Sequence, residues 1–98
     1  MAQSVIPFIE TLFGYDGVRH HIQNVDLNNY TDSGIYHATG SITHSPNGNY
    51  GLLIVINVDS ANTIRQIWFP DGSDTFYIRR YYATVWQPWQ MVNVTAVN

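Results

Sequence analysis

Tryptophan, tyrosine and arginine carry most of the chemistry this sequence can offer. Trp86 and Trp89 stand three positions apart in Trp86-Gln87-Pro88-Trp89. The proline pushes Gln87 toward extended or polyproline backbone, and in a polyproline turn of about three residues the two indoles share a face. In a flat strand they point to opposite faces. The first geometry presents aromatic surface to a sugar ring, and the second uses the rings for packing. Trp89 is assigned to packing, as the start of a last strand. Trp86 either closes the edge of a sheet or offers its indole to a saccharide. Trp68, next to Phe69, faces the same fork, because alternation sends one aromatic of that pair to each side of a strand. Tyr82 completes the set, so the candidate carbohydrate-contacting residues are Trp86, Tyr82 and Trp68.

Arginine raises a related question. In Phe76-Tyr77-Ile78-Arg79-Arg80-Tyr81-Tyr82 one face holds Phe76, Ile78, Arg80 and Tyr82 and the other holds Tyr77, Arg79 and Tyr81. Arg79 between two tyrosines is set to stack on an aromatic ring or to bridge to a carboxylate such as Asp71 or Asp74. A structural role, closing the sheet or touching a second subunit, is favoured over ligand binding for Arg79, and Trp89 is placed in the same class.

The other reactive side chains form no recognisable centre. His20 and His21 are adjacent, so in a strand they point apart, and no Cys or Glu stands at a ligand spacing to His37 or His44. Only three copies of one imidazole at a threefold axis would suit a metal, and no metal or other cofactor is expected. Glycoside hydrolysis needs a carboxyl pair about 5 to 10 Å apart, whereas Asp26, Asp32, Asp59, Asp71 and Asp74 fall mainly in turn segments that explain them. Gly-rich phosphate loops, Gly-x-Ser-x-Gly and His-Glu-x-x-His are absent. The chain is not expected to be an enzyme.

Composition narrows the partners. The 98 residues allow one domain, and charged residues make up 11% of them, under half of the roughly 25 per cent usual in soluble proteins. Aromatics reach 14% and apolar residues 45%. The four cations, Arg19, Arg65, Arg79 and Arg80, are outnumbered by seven carboxylates, for a net charge of -3. A nucleic-acid surface needs clustered positive charge, so that class of partner is excluded. There is no cysteine, hence no disulfide framework. The longest apolar run, residues 51–58, is far too short for a helix that crosses a bilayer, and the N-terminus lacks a basic leader region.

The elements that position these residues follow from period and punctuation. Pro7 and Gly14 bracket a short helical pattern with Phe8, Ile9, Leu12 and Phe13 as its apolar patch. Residues 15–25 are either a linker or a first strand. Residues 26–34 are turn chemistry, and a short strand follows at 34–39. Asn47-Gly48 is the strongest reversal signal in the chain. The run at 51–58 is apolar at successive positions and is expected to be covered on both faces. Residues 63–69, 75–83 and a last strand from Trp89 to Val92 or Val94, separated by turns, complete an antiparallel meander. The expected fold is mostly β, a small antiparallel, sandwich-like sheet of about five strands with room for one short N-terminal helix. Residues 1–25 form an N-terminal segment or linker and residues 26–98 the domain.

The order of these segments resembles the pyocin-knob type of domain in tail fibres of phages, prophages and contractile bacteriocins. The resemblance rests on Asp26-Leu27-Asn28, Gly34-Ile35-Tyr36, Gln66-Ile67-Trp68, Ile78-Arg79 and Trp86-Gln87-Pro88-Trp89-Gln90, and it covers residues 26 to 93. It implies a homotrimer on a virion, with neighbouring fibre domains, near the tip that meets a bacterial surface polysaccharide. It implies no catalysis, and it favours the structural role for Arg79. The resulting expectation is a structural and host-adhesion module. The alternative is a monomeric carbohydrate-binding module that grips cell-wall polysaccharide through exposed aromatics. Excess apolar surface links the two, since it must be hidden against sister chains or used on a saccharide.

Overall fold

A computed structural model describes residues 20–48, 50–58 and 63–97. The helical pattern between Pro7 and Gly14 lies outside the described residues. Strands β1 (His20–Gln23), β2 (Gly34–Thr39), β3 (Gly51–Asn57), β4 (Ile64–Pro70), β5 (Phe76–Tyr82), β6 (Val85–Trp86) and β7 (Gln90–Val92) form one mostly antiparallel sheet. Among the described residues the helical content is one 3-10 turn, Leu27–Asn29. β2 to β5 are the meander expected from the sequence, each antiparallel to the next. The first-strand reading of the segment before Asp26 holds for His20–Gln23, which pairs with β2 in parallel.

A parallel neighbour requires a connection that crosses the sheet. Residues 24–33 make that crossing, and Asp26 starts the 3-10 turn within it by accepting the Asn28 N–H at 2.9 Å. Leu27 is thereby driven fully under the sheet. The crossing gives the sheet a closed face. Tyr36, Ala38, Leu53, Val55, Ile64 and Trp68 point into it and form one core cluster with Leu27, while register aligns Tyr36, Leu53 and Trp68 across three strands. Gly51 makes room for Trp68, since a β-carbon there would stand 2.5 Å from the indole.

The opposite face stays open. Ile35, Ile54, Ile67 and Ile78 align across β2 to β5, each half-buried, and Phe69 stacks on Phe76 with centroids 5.1 Å apart. Ile56 is 43% exposed. Among the described residues the cover of β3 that the sequence led us to expect on both faces is present on one, where the crossing connection lies.

The end of the chain serves β5 twice. β7 pairs with Phe76–Ile78 and β6 with Tyr81–Tyr82. Between them Gln87–Trp89 leaves the ladder beside Arg79 and Arg80, with the Gln87 N–H donating to the Arg80 carbonyl at 2.8 Å. Pro88, which has no N–H, occupies this break at no cost to the sheet.

Buried phenols give the fold an alkaline limit. Tyr30 and Tyr36 meet edge to face at 5.1 Å, and the Tyr36 hydroxyl donates to the Asp32 carbonyl at 2.9 Å. Burial raises both phenols above their ordinary value of 10.0, and the Asp32 charge adds to the effect at Tyr36. A raised folded-state pKa contributes stability that is complete below the unfolded value and lost as pH rises through the folded one. The melting temperature is therefore expected to fall above about pH 10, in step with tyrosinate absorbance. Tyr36→Phe should flatten that fall, and an unchanged slope would refute this assignment.

Candidate functional site

Gln66 is a polar residue at a core position of β4, between Ile64 and Trp68 on the closed face, and it is fully buried. Its Nε2 donates to the Leu27 carbonyl at 2.7 Å and to the Tyr30 carbonyl at 2.9 Å. Its Oε1 accepts from Arg79 Nε at 2.8 Å. One amide thus ties the 3-10 turn to the sheet and sets the orientation of the neighbouring guanidinium.

Arg79 is only 7% exposed and lies between two indoles. Its Cζ stands 4.2 Å from the Trp86 ring centroid and 4.5 Å from that of Trp89. The departure of Gln87–Trp89 from the ladder is what lets residues three apart close on one cation. Each indole is anchored at its nitrogen: Trp86 Nε1 donates to the Asn28 carbonyl at 3.2 Å and Trp89 Nε1 to the His44 carbonyl at 2.8 Å. Trp86 also meets Tyr81 edge to face. Burial lowers the Arg79 pKa to about 10, partly opposed by the Asp26 charge, so the guanidinium is still charged at neutral pH.

Asp26 is the nearby anion. Its Oδ1 accepts from the Asn28 N–H and lies 2.7 Å from His44 Nδ1. Burial acts to raise its pKa, but the hydrogen bonds from His44 and Asn28, with the His44 and Arg79 charges, outweigh that and hold it below its ordinary value.

Two polar atoms here lack partners. Arg79 Nη2, a donor, and Asn28 Oδ1, an acceptor, are buried and have no hydrogen-bond partner among the described residues. Both residues line one open groove of about 660 Å³ with His44, Trp86 and Trp89. Buried polar groups are nearly always paired, so two orphans in one groove are an exception that calls for a cause.

The structure separates the residues that the sequence grouped. Trp68 is fully buried, with Nε1 donating to Asn47 Oδ1 at 3.2 Å. An enclosed indole has no face to give a sugar, so its place among the carbohydrate candidates is corrected to core. Trp86 is half-buried on the closed side of the sheet, whereas Tyr82 is 57% exposed and points to the open side, next to Arg80. Arg79 and Trp89 meet each other within one chain. The bridge from Arg79 to Asp71 does not form, because Asp71 pairs with His37 at 2.9 Å.

Sequence reasoning missed Gln66, Asn28 and the reversal at Ala83-Thr84. A polar side chain in phase with core residues was the available sign of Gln66. Ala83 and Thr84 take φ of 53° and 63°, a two-residue turn normally built from Asn and Gly. A β-branched residue there is strained, and no turn signal appears in the residue types.

The fold has a solved counterpart. The structure of an N-truncated R2-type pyocin tail fibre matches with a TM-score of 0.67 at 23% identity, over 76% of this chain and 32% of that one. The match therefore spans about a third of that truncated chain, and the likeness is one of fold. No family model matches the sequence, and no curated protein matches it.

Proposed function

We propose that the chain is a structural and host-adhesion module of a phage or bacteriocin tail fibre, placed on the particle where it contacts a bacterial surface glycan. No chemical step belongs to this role. The tail-fibre-like fold supports the particle. The observation that carries the glycan is the open groove in which Asn28 and Arg79, each with a polar atom unpaired among the described residues, lie beside Trp86 and Trp89: polar side chains next to indole faces suit the hydroxyls and the ring of a sugar.

The test follows from the missing partner. Asn28→Ala removes an acceptor that the free protein does not use, so the melting temperature is expected to hold or rise. Binding on a glycan array should weaken at least tenfold, roughly the worth of one hydrogen bond to a buried group. Unchanged binding in the variant, or no glycan bound by the parent chain, would overturn the reading.

Assembly belongs to the same proposal. Val85 and Met91, each 56% exposed on β6 and β7, suit sister chains in a homotrimer. Light scattering is expected to give three copies, with little response to salt because apolar contacts dominate. The alternative is a monomeric carbohydrate-binding module that grips the glycan through the same groove. A stable monomer that still binds glycan would select it.

A further inference from the structure

Arg65 and Arg80 are register partners across β4 and β5, so two of the chain's four cations sit side by side. Like charges directly opposite in a sheet are destabilising. Both residues are exposed, and among the described residues the ion pairs are His37 with Asp71 and His44 with Asp26, neither involving these arginines. Among the described residues no carboxylate neutralises this arginine pair. The pair borders a hollow of about 440 Å³ on the open side of the sheet, lined also by Ile56, Ile67, Ile78 and Gln90. Tyr82 lies alongside, its ring 5.0 Å from Arg80 Cζ.

We infer that this hollow is a second binding site, specific for the anionic group of an acidic saccharide. Two guanidinium forks match the oxygens of a carboxylate or a phosphate ester. The isoleucines and the exposed Tyr82 ring meet the apolar faces of the sugar, and Gln90 offers a hydroxyl partner. The inference rests on the adhesion reading and adds the charge class of the glycan.

The experiment is calorimetric titration of the full chain with a short uronate oligosaccharide, its neutral counterpart and glycerol phosphate. The acidic probes are expected to bind, and the neutral one at least about tenfold more weakly at this site. The tighter of the two acidic probes identifies carboxylate or phosphate as the natural group. Arg65→Gln and Arg80→Gln should each weaken acidic binding at least about tenfold, with the melting temperature held or raised as the like-charge contact is relieved. Asn28→Ala should leave acidic binding intact. Acidic binding that is absent, or that survives both arginine variants, overturns the inference. So does a change of oligomeric state in Arg65→Gln, which would mean that a sister chain's carboxylate fills the hollow. If neutral binding in the Asn28 groove persists while acidic binding fails, this inference alone falls. If both fail, the adhesion reading falls with it.

Discussion

Gln66→Leu is expected to destabilise the protein by about 3 to 5 kcal/mol, the upper end of what single substitutions do. Leucine fills a similar volume, so little cavity forms and the loss is almost wholly polar. The Tyr30 carbonyl loses the Gln66 donor, the Leu27 carbonyl keeps only the Tyr30 N–H, and Arg79 Nε loses its acceptor. Each buried group left unpaired costs about 1 to 3 kcal/mol, more where a charge is involved. Relaxation of the crossing connection toward water recovers part of the sum. Because small domains hold only about 5 to 15 kcal/mol in total, the urea midpoint should drop sharply with the slope unchanged. Glycan binding in the groove should fail with it, since Arg79 loses its orientation. A midpoint like that of the parent protein would show that Gln66 is not the hub described above.

The second large effect is at Trp68. Trp68→Ala is expected to cost about 3 to 5 kcal/mol through lost burial and the cavity left behind. The site cannot close around the void easily. On one side Gly51 has no side chain to move in, and on the other the indole is held by strand register with Leu53 and Tyr77. The variant tests the correction made to the sequence reading. A sugar platform would lose binding and keep its melting temperature, whereas a core tryptophan loses the fold first. Trp68→Phe should recover much of the stability while leaving Asn47 Oδ1 without the indole donor. Full stability in Trp68→Ala would restore the surface role.

Trp86 lies between these cases. It stacks on Arg79, meets Tyr81 edge to face and also lines the groove, so its removal mixes packing with binding. Asn28→Ala is the cleaner probe, because Asn28 Oδ1 has no partner to lose.

The residue types determined what local backbone geometry alone can impose. Alternation separated Ile64, Gln66 and Trp68 from Arg65, Ile67 and Phe69, and Tyr77, Arg79 and Tyr81 from Phe76, Ile78, Arg80 and Tyr82. Strand pleat enforces that division whatever the partner. Asn47-Gly48 marked a reversal, and Gly48 takes positive φ. Arg79 was set to meet aromatic rings, and it does. Tertiary structure decided which of the two faces would close, because that depends on the crossing through Leu27 and not on any strand by itself. From this one choice it followed that Trp68 is core while Phe69 stays half-exposed, and that Trp86 and Tyr82 part company. It also brought Gln66 to Leu27 across 39 positions and Trp86 to Asn28 across 58. Contacts between residues so far apart leave no period in the sequence, and only the folded chain brings them within hydrogen-bond reach.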